Sequence, residues 1–312
     1  MSLVKLRLSM FSTLAIIIGV STLFFAFVLT LIDAWSLYSL LSLVVGFNLI
    51  QWMIAPYLID LMYRAKEVSY QEQPDLYRMV ERISQRARMP MPRIMVANIP
   101  IPNAFAYGSP IAGTRVAVTT GLLRALEPEE VEAVLGHELG HIKHRDVQIM
   151  MFVSVLPALL YYIGFSLMYS AGSSNRERSS GTATIGLASM VLYGALTLLS
   201  LRLSRLREFY ADRHSVDIVE DGRRKLSEAL SKIVTSTSRF SRFRRTGNYS
   251  SLRGLFITDP EKAAEDAAQL AGSDQRLVQE LMAKRLTAFD SFVELFSTHP
   301  NIVKRLRALQ EY

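Results

Sequence analysis

Residues 137–141 read His137-Glu138-Leu139-Gly140-His141. Side chains four apart share one face of an α-helix, so both imidazoles can reach a single ion. Glu138, next to the first histidine, can lean over a metal-bound water. The metal would lower that water's pKa to about 7, and the carboxylate would take its proton as it attacks a carbonyl. The competing reading is a polar helix face with two ordinary histidines. The chain of 312 residues has no cysteine, which removes disulfides, thiol nucleophiles, iron–sulfur clusters and Cys-ligated zinc. Any metal must therefore be held by His, Asp or Glu.

A metal with this ligand pattern needs a third protein ligand. His144 is nearest, but it lies seven residues from His137, roughly 10 Å along a helix axis, which does not converge on one tetrahedral ion. Lys143-His144-Arg145 also stands where a metzincin needs a glycine turn followed by a later histidine. An acidic residue from elsewhere is the better candidate.

The elements that could supply it are set by hydropathy. Half of the residues are hydrophobic, 20% are charged, and the mean hydropathy is +0.21. Residues 11–32, 35–59, 147–175 and 179–201 contain no charged side chain. Each run exceeds the roughly 20 residues that cross a bilayer as a helix. The first is too long for a signal peptide and runs straight into the second. Asp33 and Ala34 alone separate the first two, which predicts a hairpin; a short polar loop around Arg176, Glu177 and Arg178 joins the other two. Lys5, Arg7, Arg64, Lys66, Lys143, Arg145, Arg202, Arg205 and Arg207 flank one side and only Arg176 and Arg178 the other, which places both termini and the larger part in the cytoplasm. This accounts for the net charge of +7 without nucleic acid, for which no binding signature is present. The expected organisation is a transmembrane hairpin over 1–62 (spans about 11–32 and 35–59), a first catalytic part over 63–146, a second hairpin over 147–201 (spans about 147–170 and 180–201), and a second catalytic part over 202–312.

This topology singles out Glu208. His141 lies six residues before the third span and Glu208 seven after Leu201, so both sit roughly 10 Å outside the hydrocarbon. An antiparallel hairpin returns Glu208 to the depth of the histidines. Asp212 follows at i+4, where it can accept a hydrogen bond from the far nitrogen of a ligating imidazole. The alternative is a solvated face balanced by Arg205 and Arg213.

Residues 74–89 read as an amphipathic helix ended by Pro90 and Pro92, with Leu76, Met79, Val80 and Ile83 on one face. Arg93–Ala97, Ala104–Tyr107 and Arg115–Thr119 read as short strands. The His137 helix starts near Pro128, with Glu129 and Glu130 suited to its dipole.

The pattern His137-Glu138-x-x-His141 with Glu208-x-x-x-Asp212 resembles the HtpX-type membrane zinc metalloproteases, relatives of the CAAX prenyl proteases, over nearly the whole chain. The resemblance implies that His137, His141 and Glu208 bind one Zn2+, that Glu138 is the catalytic base, and that Asp212 supports a ligand. Asn103-Ala104-Phe105-Ala106 looks like the family's motif ahead of the metal helix, with Tyr107 where many members carry a small polar residue. The implied fold is mainly α: four transmembrane helices plus a cytoplasmic α+β zincin-like metalloprotease domain with a small β-sheet.

Two features gain meaning from this resemblance. The strands at 104–107 and 115–119 could offer a free edge to an extended peptide, with Asn103, Ala104, Phe105 and Ala106 as substrate-binding residues; the plainer reading of Asn103 and Ala104 is a turn and a packing contact. Thr298-His299-Pro300 reads as the start of the last helix, with Thr298 as cap. His299 could there donate to an oxyanion, supported by Arg305, which matches the family's arginine six residues on; a structural capping-region histidine is the competing reading. Arg239–Arg253 interleaves five arginines with Phe240, Phe243 and Tyr249, suiting anionic headgroups, an unfolded substrate or a solvated loop.

The expected function is a multi-pass zinc endopeptidase of the cell (inner or plasma) membrane, with a cytoplasmic active site, acting on unfolded or damaged membrane proteins in quality control and stress response. One rival is a processing peptidase for a defined or lipidated peptide. Another is a non-catalytic membrane scaffold or transporter subunit, against which speak Glu138 and the absence of Asp, Glu, Lys, Arg and His from the third and fourth runs.

Overall fold

A computed structural model of the chain describes residues 36–173, 176–243 and 274–312. The apolar run after Trp35 forms α1 (Leu37–Tyr63). A short strand β1 (Ala65–Glu67) follows, then α2 (Pro74–Arg86), β2 (Arg93–Ala97), β3 (Ala104–Ser109) and β4 (Gly113–Thr119). Next come α3 (Thr120–Ala125), α4 (Pro128–Lys143), α5 (Asp146–Ser173) and α6 (Arg176–Ile218). The described chain ends with α7 (Gly222–Phe243), α8 (Asp274–Ala283), α9 (Ala288–Glu294) and α10 (Ile302–Glu311). The chain divides into two compact units, Met1–Trp52 with Ile149–Arg202 and Met53–Gln148 with Leu203–Tyr312.

Among the described residues two helical stretches are long and apolar enough to cross a membrane, Val45–Tyr63 and Ala183–Ile218; Pro157–Met168 is a shorter apolar stretch. The uncharged part of the second ends at Leu201. The expected first span, 11–32, lies outside the described residues. In the first unit, α5 and α6 run close where a Cβ on Gly164 would stand 3.0 Å from the Gly186 carbonyl oxygen. Tyr161, Tyr162 and Tyr193 pack beside that crossing. Arg176–Arg178, expected as a loop, belong to α6. Arginine and glutamate are good helix formers, so the end of a hydrophobic run is not the end of a helix.

The second unit is built on a four-stranded mixed sheet in the order β1-β2-β4-β3, with β2 and β4 parallel and the outer pairs antiparallel. Strand 115–119, expected to share a free edge, is therefore interior, and β3 carries that edge. β4 needs hydrogen bonds on both sides, and its buried Val116, Ala117 and Val118 fit that place. Alternation along the strands splits the sheet into two faces. Ala104, Val116 and Val118 face a core with Leu122, Leu135, Leu139, Leu226 and Leu230, all at most 1% exposed. A leucine so enclosed contributes about 1.5–3 kcal/mol. Phe105, Tyr107, Met95 and Ala117 take the other face with Tyr63. There the Tyr107 hydroxyl donates to Asp60 Oδ1 at 2.5 Å, and Arg115 pairs with the same carboxylate.

Helix α4 packs against β3, β4, α2 and α7. Pro128 opens it and Glu127 caps it, with the Glu127 amide donating to Glu130 Oε2 at 2.7 Å. α2 stops at Arg86 rather than at 89. Arg88 takes φ 50, and Lys143 Nζ donates to the carbonyls of Ala87 and Arg88 at 2.8 and 3.2 Å, satisfying that helix end before Pro90 is reached.

Candidate metal centre

Helix α4 presents the two imidazoles edge to face, ring centres 4.7 Å apart, with their Nε2 atoms separated by 3.2 Å. Each far nitrogen faces a carboxylate. His137 Nδ1 lies 2.9 Å from Asp212 Oδ1, and His141 Nδ1 lies 2.6 Å from Asp146 Oδ2. A carboxylate there favours the proton on Nδ1 and leaves the Nε2 lone pair free. At this distance the two Nε2 atoms can share a metal ion, or a single proton as a hydrogen bond.

A third candidate donor comes from α6. Glu208 Oε1 is 3.5 Å from His141 Nε2, and Oε2 is 3.8 Å from His137 Nε2. Donors at zinc-bond lengths around a tetrahedral centre stand roughly 3.3 Å apart, so the spacing suits such an ion. Two imidazoles and one carboxylate are also a donor set that zinc accepts. His137, His141 and Glu208 are the group among the described residues whose ligand atoms lie within 4.8 Å of one another. Glu208 and Asp212 are 6% and 0% exposed, which rejects a solvated face. Arg213 instead reaches exposed Asp217, and Arg205 donates to the carbonyls of Glu294, Leu295 and Ser297.

Two glycines let α6 come this close. A Cβ on Gly140 would stand 3.2 Å from the Ala211 Cα, and one on Gly136 would stand 2.9 Å from Val219 Cγ2. Ser215 Oγ completes the seam by donating to the Ala133 carbonyl at 2.6 Å.

Arg305 joins the two α6 acids. It donates to Asp212 from Nε and Nη2, and its Nη1 lies 3.0 Å from Glu208 Oε2. Burial alone would push the Glu208 carboxyl up, but the charges of His299 and Arg305 outweigh it and hold the group well below the ordinary carboxylate range. At Asp212 burial again pushes upward, and Arg305 and His137 hold the carboxyl down. Both acids therefore stay ionised inside the protein.

Glu138 is 4% exposed and follows His137 on α4. His299 Nδ1 stands 3.3 Å from Glu208 Oε2. The expected cap at Thr298 is corrected. α10 starts at Ile302, and Asn301 caps it, its side chain accepting from the Val303 amide at 2.9 Å. A residue before proline is steered away from helical backbone, so His299 stays outside the helix. His144 ends α4 and stacks edge-on with His214, ring centres 5.4 Å apart, apart from the three-donor group.

Asn103, Ala104, Phe105 and Ala106 lead into and begin β3. Asn103 is fully buried; its amide donates to Thr119 Oγ1 at 2.9 Å and its carbonyl accepts from the Thr119 amide at 2.9 Å, while Phe105 meets Tyr63 in a tilted ring contact at 4.6 Å. Of the basic stretch 239–253, the residues up to Phe243 end α7, and 244–253 lie outside the described residues. Sequence reasoning missed Asp146 and Arg207, which stand behind His141, and the seam at Gly136 and Gly140. The signals were present: an acid five residues after His141, an arginine directly before Glu208, and two small residues one helical turn apart.

The model of peptidase family M48 matches residues 70–312. A "Protease HtpX homolog" of Thermoplasma acidophilum is 36% identical over 279 residues, covering 87% of this chain and 84% of that protein. "Protease HtpX homolog 2" of Saccharolobus solfataricus is 35% identical over 329 residues, covering 99% and 97%. The crystal structure of S. mikatae Ste24p is similar in fold, with a TM-score of 0.55 and 18% identity. The match covers 98% of this chain and 66% of that one, just under two thirds.

Proposed function

Because this chain belongs to peptidase family M48 and is a metalloprotease of the HtpX type, we propose that it is an integral membrane zinc endopeptidase that cuts cytoplasmic segments of misfolded or damaged membrane proteins. The observation that carries the reading is the convergence of His137 Nε2, His141 Nε2 and Glu208 on one point, with buried Glu138 following His137 on the same helix. His137, His141 and Glu208 would hold one zinc ion, which would supply Lewis-acid chemistry for acidifying a water and polarising a carbonyl.

The chain's own residues do the rest. Glu138 takes the proton of the attacking water and passes one to the leaving amine. His299 donates to the developing oxyanion, its place fixed by Glu208 on one side and by the Ser204 bond to the Thr298 carbonyl on the other. Asp212 and Arg305 keep His137 aimed. The edge of β3 offers backbone groups to an extended substrate, a mode with wide sequence tolerance. Four membrane spans, with both termini cytoplasmic, would keep the site among segments near the bilayer; the arginine asymmetry of the loops supports that orientation.

The test is metal analysis with cleavage of an unfolded casein-type substrate by the detergent-solubilised protein, with and without chelator. Chelator abolishes cleavage, and Glu138→Gln keeps its zinc while losing at least about 100-fold in rate. Undiminished cleavage by that variant rejects the mechanism. Cleavage confined to one peptide motif rejects the quality-control role in favour of dedicated processing.

A further inference from the structure

His141 is held from behind by two residues that take no part in the peptidase steps above. Its Nδ1 stands 2.6 Å from Asp146 Oδ2, and the other oxygen of that carboxylate pairs with Arg207 Nη2. The same Arg207 nitrogen donates to the His144 carbonyl at 3.0 Å, which pins the guanidinium to the end of α4. Asp146 is 7% exposed. Its placement depends on a left-handed residue: Arg145 at φ 55 breaks the chain after α4, so that α5 begins at Asp146 and its carboxylate meets the preceding histidine. The result repeats, on the second imidazole, what Asp212 and Arg305 do for the first. Arg207 also directly precedes Glu208, so one turn of α6 supplies both a donor and the cation behind another donor's carboxylate.

We propose that Asp146 and Arg207 are a positioning pair that fixes the tautomer and ring orientation of His141 and so sets the metal affinity of the centre. The inference rests on the metalloprotease assignment. A carboxylate on the far nitrogen makes an imidazole a stronger donor, and loss of such a partner weakens metal binding by about 10–100-fold. Arg207 places a positive charge against that buried carboxylate and fixes its direction through charge-assisted hydrogen bonds.

The experiment uses the full chain in detergent, stripped of metal. Zinc affinity is read by competition with a chromogenic chelator, and the ligand field by the visible spectrum of the Co2+-loaded protein. D146N is expected to bind zinc about 10–100-fold more weakly and to shift the Co2+ bands. R207Q should weaken zinc binding in the same direction by a smaller factor. The double variant should be no weaker than D146N within about threefold, because paired residues are not additive. Circular dichroism of the metal-free proteins reports folding; if D146N does not fold, R207Q decides through the same two readouts. Wild-type affinity with an unshifted Co2+ spectrum in the variants overturns the positioning role alone. A wild-type chain that takes up no metal overturns the metalloprotease assignment and this proposal with it.

Discussion

Arg305 grips Asp212 with two hydrogen bonds, Nε to Oδ2 at 2.9 Å and Nη2 to Oδ1 at 2.5 Å, and both side chains are 1% exposed. The remaining nitrogen reaches Glu208, so one guanidinium bridges two buried acids. Removing one partner of a buried pair leaves an uncompensated charge and costs about 3–5 kcal/mol. Arg305→Met is expected to lose that much in denaturant unfolding of the metal-free protein. Arg305→Lys should recover only part of it, because a compact ammonium cannot bridge both carboxylates. The acids' folded pKa values lie below their unfolded ones, so the contribution is complete above about pH 4.5 and is lost as the pH falls through the depressed values. Arg305→Met should flatten that acid-side slope.

Glu208→Gln preserves shape while removing the charge that faces His137, His141, His299 and Arg305. A neutral amide is a poor donor to zinc. The variant is expected to retain under about 1% of the wild-type zinc affinity, whereas Glu138→Gln keeps all of it. Metal analysis after dialysis separates the two; zinc retained equally by both would remove Glu208 from the donor set.

The part of the site legible in the sequence is the part written in local periodicity. His137 and His141 share a face because a helix repeats every 3.6 residues, and Glu208 with Asp212 repeats the same spacing at the far end of an apolar hairpin. The strands over 93–97, 104–109 and 113–119 were legible for the same reason, apart from their ends. What tertiary contact creates was not. Arg207 reads as one of the charges flanking an apolar run, and although Asp146 lies five residues after His141, only tertiary contact brings the two together behind one imidazole. Tyr107 read as an oddity in a motif, yet its hydroxyl meets an aspartate 47 residues away. The order of the strands places β4 inside, although it was expected to share a free edge with β3.

The reassigned cap at the last helix separates two similar polar residues. Asn301 has extended backbone at φ −60 and ψ 134 and accepts from the Val303 amide, and its own amide donates to Glu294 Oε1 at 3.2 Å. Asn301→Ala should cost about 1 kcal/mol, the usual worth of an N-cap. Thr298→Ala, three residues earlier, should stay within about 0.5 kcal/mol as an ordinary surface change. Thermal unfolding of the two variants side by side decides it, and the reverse ranking would restore Thr298 as the cap.

The seam between α4 and α6 predicts unequal responses at two glycines. At Gly136 an added methyl meets side-chain tips, Val219 Cγ2 at 2.9 Å and Ser215 Oγ at 3.0 Å. At Gly140 it meets backbone, the Ala211 Cα at 3.2 Å, together with His214 Cβ at 3.2 Å. Val219 and Ser215 yield only at a cost in packing and in the Ser215 bond to the Ala133 carbonyl, which offsets the up to about 1 kcal/mol that alanine returns in helix propensity without moving α6. Backbone can yield only by moving α6, which carries Glu208 three residues before Ala211. Overpacking of that kind costs about 1–3 kcal/mol, more than the propensity gain. Gly140→Ala should therefore lower both stability and zinc affinity, while Gly136→Ala should leave zinc affinity within about threefold of wild type. Equal zinc affinities in the two variants would show that the distance between the helices does not set the position of the third donor.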